Sequence, residues 1–367
     1  MKIATIFIFF AIFITIEGCG GGASSDNNAT ATPAISVPNP VVIPAQTPVV
    51  SKWTIPDMTI MSMAVDQTTG DVYVAGSTKY TPTDAVVAKF SVDGNVLWEK
   101  KMGGPLWDFA SEIRVFNNRV FVLWDNRDAF GIGVSGGNQL SSFDSYGNDI
   151  LTFQGLEYIA NGMFVDADYI YFHWVRMSYD GTNMTDTPNL GPGWGNTSIS
   201  GVAVHGGMVY YTGDSVAPFS INSLDRRRFI MKSDKAGNVI YVFNWKQDIS
   251  LPNAGQGLHV NDFGIYTTNP GPTISRHNFN GNLLWEQRRN DACYGSFSYI
   301  VADSNGSAYA MGRSFLGCGL TKVDINGVLI WQTNVVGRSL AIFGDVVFIV
   351  NKDGAIERYS SITGERL

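Results

Sequence analysis

The chain has 367 residues, of which 45% are hydrophobic and only 16% are charged, and its formal net charge is −7. A chain of this size can bury a large core, either as one large β domain or as two or three smaller ones. The acidic balance argues against nucleic-acid binding, because an acidic surface repels a phosphate backbone. The 40 glycines and 13% aromatic residues favour many short strands joined by tight turns.

The N-terminus has the pattern of a secretory leader. Lys2 precedes an uncharged stretch, residues 3–16, that is rich in Ile and Phe. As a helix this stretch would span about 21 Å, which is short of the roughly 30 Å hydrocarbon core of a membrane. The pattern therefore predicts a signal peptide over residues 1–18 rather than a membrane span.

The leader ends in Ile-Glu-Gly-Cys at residues 16–19, and this stretch resembles the lipobox of bacterial lipoproteins. Glu17 departs from the small or aliphatic residue usual at its position. The resemblance implies that Cys19 is acylated and that the chain binds a membrane through this anchor. Asp does not follow Cys19, so the outer membrane or the cell surface is the implied location, with the periplasmic side as an alternative. An ordinary secretory leader with an incidental cysteine is the competing interpretation.

The next segment has the composition of a flexible tether. Residues 20–50 are dominated by Gly, Ser, Asn, Ala, Thr and Pro and show no apolar period, so they cannot bury a core. We therefore predict that residues 19–48 comprise the lipidated cysteine and a tether. Residues 49–367 are left as the folded domain.

The folded domain repeats itself. The stretch FSVDGNVLWEKKMGG at residues 90–104 returns as HNFNGNLLWEQRR from residue 277 and as VDINGVLIWQTNVVG from residue 323. A second pattern, an aromatic residue between β-forming residues, precedes each of these stretches and recurs along the whole domain. It has seven aromatic centres: Tyr73, Phe121, Tyr171, Tyr210, Tyr266, Tyr309 and Phe348. Each centre is followed by a turn with a glycine: Gly94, Gly147, Gly181, Gly237, Gly281, Gly327 and Gly364.

The spacing and the turns predict a seven-bladed β-propeller of four-stranded antiparallel blades. Asp or Asn followed by Gly, between alternating strands, is a strong hairpin signal. Two hairpins in each unit give four strands, and a unit of this length buries its faces only by stacking on its neighbours. Closing the units into a ring leaves only short, protected edges.

These motifs resemble the bacterial β-propeller repeats called SBBP and the related PQQ-like repeats, in which an aspartate-glycine turn precedes a Trp strand. The resemblance covers nearly all of residues 60–367 and implies that Trp98, Trp285 and Trp331 pack between adjacent blades. The last copy ends near its turn, whereas an unassigned stretch with Trp53 precedes the first copy. We therefore predict that an N-terminal strand completes the last blade, with Trp53 in the position of Trp98.

Several residues outside the repeat are candidates for function. Trp107 with Asp108, and Trp194, lie in segments that are predicted to be loops, where an exposed Trp can bind a ligand or serve as a plug. Export favours a disulfide between Cys293 and Cys318. These cysteines precede the first and third strands of the sixth repeat, and the two connections leave a blade on the same face.

The chemistry-bearing motifs are weak. Residues 133–137 match G-x-S-x-G, but no helical period follows, as the nucleophile elbow requires. The four histidines lack metal-ligand spacing, and no vicinal cysteine pair of the quinone dehydrogenases is present. The sequence accordingly predicts no catalytic residues, no cofactor and no metal.

Two classes of function remain at this stage. The sequence favours a non-catalytic, membrane-anchored propeller lipoprotein that acts as a binding or scaffold module for a protein or a glycan. The alternative is a propeller enzyme with its site at the channel mouth, either a PQQ-type dehydrogenase or a polysaccharide-active enzyme.

Overall fold

The computed structural model describes eleven segments: residues 52–104, 107–127, 138–156, 162–172, 175–186, 197–216, 226–246, 257–269, 272–289, 297–312 and 318–367. All of them lie in one compact unit, Pro40–Leu367. No helix within these segments is long and apolar enough to span a membrane.

The strands form seven antiparallel sheets in chain order, which are the seven blades. Blades one and two contain β1 (Met58–Val65), β2 (Val72–Thr78), β3 (Ala85–Phe90), β4 (Val96–Met102), β5 (Trp107–Phe116), β6 (Arg119–Arg127), β7 (Asn138–Asp144) and β8 (Asp149–Leu156). Blades three and four contain β9 (Met163–Val165), β10 (Tyr169–Phe172), β11 (Val175–Ser178), β12 (Thr185–Asp186), β13 (Thr197–His205), β14 (Met208–Val216), β15 (Arg226–Asp234) and β16 (Val239–Lys246).

Blades five and six contain β17 (Leu258–Asn261), β18 (Gly264–Asn269), β19 (Thr273–His277), β20 (Leu283–Arg288), β21 (Phe297–Ala302), β22 (Ala308–Gly312), β23 (Thr321–Val323) and β24 (Leu329–Gln332). Blade seven contains β25 (Gly337–Phe343), β26 (Val346–Asn351) and β27 (Ile356–Ser360). The first strands of neighbouring blades contact each other around the full circle, and β25 meets β1. The prediction of an all-β, seven-bladed propeller is confirmed.

The core is divided into seven layers, one between each pair of adjacent blades. Each layer takes apolar side chains from facing blades, because alternate residues of a strand point to opposite faces of its sheet. The layer between blades seven and one, for example, contains Phe348 and Ile356 on one side and Val74 and Phe90 on the other. The propeller is therefore stabilised by contacts between repeats.

The two ends of the barrel-like ring differ. The hairpins between first and second strands, and the turns between third and fourth strands, emerge at one end, which we call the turn face. The turn glycines there have positive φ, as at Gly94 (91°), where a Cβ would be strained. Asn117 and Asn118, which replace a glycine in blade two, also have positive φ, at 49° and 59°. The other connections emerge at the opposite end, the loop face.

An aromatic side chain on a fourth strand packs against the turn glycine of the next blade at several of the seams. Trp98 lies against Gly147, Trp285 against Gly327 and Trp331 against Gly364. The indole Nε1 of each donates a hydrogen bond to a carbonyl of the same turn: Ser145 (3.1 Å), Ile325 (2.8 Å) and Ser361 (3.1 Å). Phe153 and Tyr241 make the corresponding contacts with Gly181 and Gly281, so other aromatic residues substitute for Trp in the divergent blades.

A basic side chain on the third strand reinforces many of these seams, which the sequence analysis did not anticipate. Its charged group lies 5.1–5.8 Å from the ring of the aromatic centre: Lys89 on Tyr73, Lys232 on Tyr210, Arg276 on Tyr266 and Lys322 on Tyr309. The same groups donate to turn carbonyls of the next blade, as Lys322 does to Ser361 (2.8 Å). Each of the four basic residues lies five positions before a turn glycine, a spacing that the sequence alone contains.

The last blade is closed by both ends of the described chain. Trp53 and Ile356 exchange two backbone hydrogen bonds, of 3.2 and 3.0 Å, and Arg366 pairs with Tyr359 along the same edge of β27. An N-terminal strand therefore completes the blade, as predicted, but it shares the fourth-strand position with the C-terminal residues. Residues 49–51 of the predicted strand lie outside the described segments.

The closure also corrects the predicted register of Trp53. Trp98 pairs with Lys89, and Arg358 is the residue of blade seven that corresponds to Lys89, because both lie opposite the aromatic centre of their blade. Leu367 N donates to Arg358 O (3.0 Å), so Leu367 takes the backbone position of Trp98. The Trp53 backbone pairs two residues away, at Ile356. Its indole nevertheless packs against Gly94, the turn glycine of the next blade, as the Trp98 indole packs against Gly147, so the side-chain contact matches the prediction and only the backbone register differs.

Glu357 holds the two chain ends together. Its carboxylate lies 3.6 Å from the Lys52 ammonium and 3.1 Å from the Arg366 guanidinium. It also accepts hydrogen bonds from Asn351 (2.8 Å) and from the Tyr359 hydroxyl (2.9 Å). Because the Glu357 side chain is buried, these partners compensate a charge that would otherwise be costly.

Candidate functional site

Several aromatic and acidic residues lie at the loop-face ends of blades one and two. This loop-face corner comprises Tyr80 and Asp84 from the connection between β2 and β3, Trp107 and Asp108 at the start of β5, and Asp125 of β6. The corner belongs to the face on which the longer connections of the propeller emerge. Such connections commonly bind ligands because a rigid scaffold positions them.

The backbone of the corner is fixed by hydrogen bonds. Thr78 N donates to Asp84 O (2.9 Å), and Asp84 N donates to the Thr78 hydroxyl (2.9 Å), which closes the connection. Asp108 N donates to Thr83 O (2.7 Å), and this bond ties blade one to blade two. The aromatic side chains are thus carried by a backbone with satisfied polar groups.

The structure corrects the predicted environment of two binding candidates. Trp107 and Asp108 are the first residues of a strand rather than loop residues, and alternation along the strand points them in opposite directions. Trp107 is 47% exposed, whereas Asp108 is fully buried. The third candidate, Trp194, lies outside the described segments.

Tyr80, which the sequence analysis missed, is 68% exposed at the same corner. The signal that could have identified it is its place in a short polar connection, Lys-Tyr-Thr-Pro-Thr-Asp at residues 79–84. An aromatic residue there has no strand pattern to bury it. Tyr80 and Trp107 together give the corner two solvent-exposed aromatic faces.

The Asp108 carboxylate is an unusual feature of the corner. Its Oδ2 accepts a hydrogen bond from Gly104 N (2.9 Å), whereas Oδ1 is buried and has no hydrogen-bond partner among the described residues. Burial raises the pKa of Asp108, and the nearby carboxylates of Asp84 and Asp125 raise it further, against the opposing effect of the Gly104 hydrogen bond. A perturbed group of this kind is typical of binding and catalytic sites.

Glu112 of the inner strand β5 makes a contact between blades. Glu112 Oε2 accepts from the backbone N–H groups of Gly162 (2.9 Å) and Met163 (2.8 Å) in blade three. Its Oε1 pairs with Arg114. The Ser62 hydroxyl accepts a hydrogen bond from Ile113 N in the same way (3.3 Å). A polar side chain on one blade thus binds a backbone N–H group of the next blade.

Histidine and acidic residues meet on the turn face between blades four and five. His205 Nε2 lies 3.3 Å from Asp262 Oδ1, and its ring stacks on Phe279 at 5.5 Å. Burial lowers the pKa of His259 to about 4, with a smaller contribution from His205. No group of three or more His, Cys, Asp or Glu side chains in the described segments has the geometry of a metal site. The nucleophile-like motif at residues 133–137 lies outside those segments.

Cys318 is buried in the layer between blades five and six, whereas Cys293 lies outside the described segments. Cys318 lies in the connection between β22 and β23, and in the sequence Cys293 falls between β20 and β21. We expect them to form a disulfide in exported protein. The disulfide would close a loop of 24 intervening residues and stabilise the folded protein by about 3 kcal/mol in the chain-entropy model. Non-reducing peptide mass spectrometry should find the linked pair, and two free thiols would contradict the prediction.

Comparison with known proteins supports the fold alone. No protein-family profile matches the chain, and no curated protein matches it. Among solved structures, Raptor from Chaetomium thermophilum is similar, with a TM-score of 0.56 and 10% identity over 84% of this chain. The match covers 28% of the Raptor chain. At this identity the likeness carries no information on the activity or partners of the present protein.

Proposed function

We propose that the chain is an exported, lipid-anchored β-propeller of the SBBP or PQQ-like repeat type. In this proposal it acts as a non-catalytic binding or scaffold module for a protein or glycan, at the outer membrane or cell surface. The loop-face corner is its binding site. The observation that carries this proposal is the presence of two exposed aromatic side chains, Tyr80 and Trp107, at the loop-face ends of neighbouring blades.

The physical argument concerns exposed apolar area. Single exposed aliphatic residues are ordinary on a protein surface, but Trp and Tyr bury large areas and are enriched where proteins bind partners. Trp107 could have been turned inward by a one-residue shift of β5. That shift would have exposed Asp108 instead, so the observed register keeps an aromatic residue outside and an acid inside.

A binding role fits the inner strands better than the enzyme alternative does. A site at the channel mouth would need charged groups that converge there and remain accessible to substrate. In the described inner strands, the Glu112 carboxylate is used by Arg114 and by two backbone groups of blade three. These contacts support a structural role for Glu112.

The test is a binding survey with the purified full chain against immobilised peptides and oligosaccharides. We expect at least one ligand class to bind, and its affinity to fall at least fivefold in the double variant Tyr80→Ala/Trp107→Ala. Tyr146→Ala is the matched control, because Tyr146 is an 81% exposed aromatic residue on the turn face. Equal binding by the two variants, or turnover of a survey compound, would contradict the proposal.

The anchor is tested separately at Cys19. Replacement of the acylated cysteine removes the attachment point, so Cys19→Ala should move the protein from the membrane fraction to the soluble fraction or block its maturation. Cys19→Ser, which has nearly the size of Cys, is the matched variant and should behave in the same way. Membrane retention of a processed Cys19→Ala protein would count against a lipid anchor.

A further inference from the structure

A large apolar side chain is exposed at the same position of every blade. It lies three residues after the glycine of the turn that follows the third strand, at the turn-face end of the outer edge of the blade. The exposed fraction of these side chains is 42–52%. We call them the apolar rim, and they are Leu97, Ile150, Met184, Ile240, Leu284, Ile330 and Leu367.

The hydrogen bonding of the sheets does not require an apolar residue at the rim position. In blades one, two, four, five and six, the rim residue is the extra residue of a β-bulge between the third and fourth strands. In blade one, for example, Val96 pairs with Phe90 and Trp98 pairs with Lys89, so Leu97 has no partner on β3. A bulge bends a strand through its backbone, and an exposed bulge residue can therefore be polar.

The rim position is nevertheless less variable among the blades than the buried position that follows it. The following residue is Trp in three blades but Leu151, Thr185 and Tyr241 in three others. The rim position contains only Leu, Ile or Met in all seven. Single exposed aliphatic residues are ordinary on a protein surface. Here they recur once in each blade and so surround the turn face.

The turn face is acidic. All its hairpin turns lie within the described segments. Lys235 is the basic residue of these turns, and it pairs with Asp166 (2.8 Å) and Asp168 (2.5 Å). Lys89 of β3 pairs with Asp71 (2.8 Å). The acids of the turns are Asp66, Asp71, Asp93, Asp166, Asp168, Asp180, Asp262, Asp303, Asp324 and Asp345. The charge of the turns is therefore strongly negative.

We propose that the apolar rim and the acidic turn face bind a partner protein, through a surface that has both aliphatic and basic side chains. Charge complementarity favours this occupant. A second copy, docked turn face to turn face, would bring acids against acids. The predicted tether, residues 20–50, contains no Lys or Arg. A membrane with anionic lipids would repel the aspartates. The surface lies opposite the loop-face corner, so the inference does not depend on that site.

The experiment measures binding of fluorescein-labelled peptides of equal length to the full chain by polarisation. One peptide alternates Leu and Lys, the second Ser and Lys, and the third Leu and Glu. We expect the Leu-Lys peptide to bind, and the other two to bind at least tenfold more weakly, because each lacks one of the two complementary features. Equal binding of the Leu-Lys and Leu-Glu peptides would overturn the inference.

A rim variant tests the apolar contribution. It combines Leu97→Gln, Ile150→Gln, Met184→Gln, Ile240→Gln, Leu284→Gln, Ile330→Gln and Leu367→Gln. Affinity for the Leu-Lys peptide should fall at least fivefold, because less apolar area is removed from water on binding. The rim residues are exposed, so the melting temperature should stay near that of the wild type. If the combined variant does not fold, Leu284→Gln/Ile330→Gln in adjacent blades should still weaken binding about twofold.

Tyr80→Ala/Trp107→Ala is the matched control for the rim variant, because it removes exposed apolar area on the loop face. It should change affinity for the Leu-Lys peptide less than twofold. Equal losses in the two variants would overturn the inference, because binding would then follow exposed apolar area alone. The same control separates the two sites, since a ligand of the loop-face corner loses affinity in Tyr80→Ala/Trp107→Ala and keeps it in the rim variant.

Two variants of equal net charge test the acidic contribution. Asp93→Asn/Asp324→Asn neutralises two acids of the turn face, and Asn keeps an acceptor oxygen for the turns. Asp57→Asn/Asp353→Asn neutralises two exposed acids in connections of the loop face. The first should weaken binding of the Leu-Lys peptide two- to fivefold, and the second less than half as much. Equal losses would overturn the inference, because binding would then follow net charge alone.

Two further measurements address the competing occupants. The Cys19→Ala chain, which lacks the predicted anchor, should sediment as a monomer and should not float with vesicles of phosphatidylethanolamine and phosphatidylglycerol. A dimer that the rim substitutions dissociate would identify a second copy as the occupant. Flotation that the rim substitutions abolish would identify a lipid surface. Either result would overturn the partner protein and leave the loop-face corner untouched.

Discussion

Trp53→Ala is expected to lower the free energy of unfolding by about 3–5 kcal/mol, which for a domain of this size is a fall in melting temperature of roughly 5–8 °C. Trp53 is 5% exposed, and it packs between the two blades that close the ring. Its ring lies 5.9 Å from those of Phe90 and Phe348, and the Arg358 guanidinium lies 4.9 Å from it. Removal of the indole leaves a cavity at the seam where the N-terminal segment, paired with β27, continues into β1.

Trp331→Ala is the matched control for this change. Trp331 makes the same kind of contact with the turn glycine of the next blade, Gly364, but the four strands of its own blade are consecutive in sequence. Both variants should have a lower melting temperature than the wild type. Only Trp53→Ala should speed hydrogen exchange in β1, since it opens the seam between blades seven and one, whereas Trp331→Ala opens the seam between blades six and seven. Uniform exchange in the two variants would show that Trp53 is an ordinary core residue.

Two deletions test the same closure at the level of the backbone. Removal of residues 49–56 takes away both hydrogen bonds between Trp53 and Ile356 and should lower the melting temperature sharply. Removal of residues 21–45 shortens the predicted tether and should leave the melting temperature nearly unchanged. If the two deletions melt alike, the ring is not closed by the N-terminal strand.

Glu112→Ala is expected to lower the free energy of unfolding by about 2–5 kcal/mol, because it leaves two backbone N–H groups without their acceptor. These donors belong to Gly162 and Met163, so the loss falls on the contact between blades two and three. Chemical denaturation should show the decrease, and the amide of Met163 should exchange faster than in the wild type.

Two milder variants calibrate the Glu112 prediction. Glu112→Gln keeps one acceptor oxygen but loses the ion pair with Arg114, so about 1 kcal/mol is expected. Ser62→Ala removes a single acceptor, for Ile113 N, and should cost about as much. A Glu112→Ala protein as stable as Ser62→Ala would mean that water replaces the carboxylate.

The sequence by itself determined the repeat, and through it the fold. Aspartate or asparagine followed by glycine fixes a hairpin locally, because the side chain caps its own turn and glycine accepts positive φ. The indole contacts also follow from the sequence, since a residue that recurs at one position of several repeats meets the same kind of neighbour in each of them. The basic residue five positions before the turn glycine was equally visible there.

The tertiary structure alone decided how the repeats differ. The register of Trp53 against Ile356 joins residues that lie more than 300 positions apart in the chain. The burial of Asp108 and the exposure of Trp107 depend on the register of β5 against blade one, through the bond to Thr83. No sequence pattern predicted the hydrogen bonds of Glu112, because its partners lie about 50 residues further on, in the next blade. Local turn chemistry determines the hairpins of each repeat. Contacts between repeats determine the environment of individual side chains, because those contacts join residues that no local pattern relates.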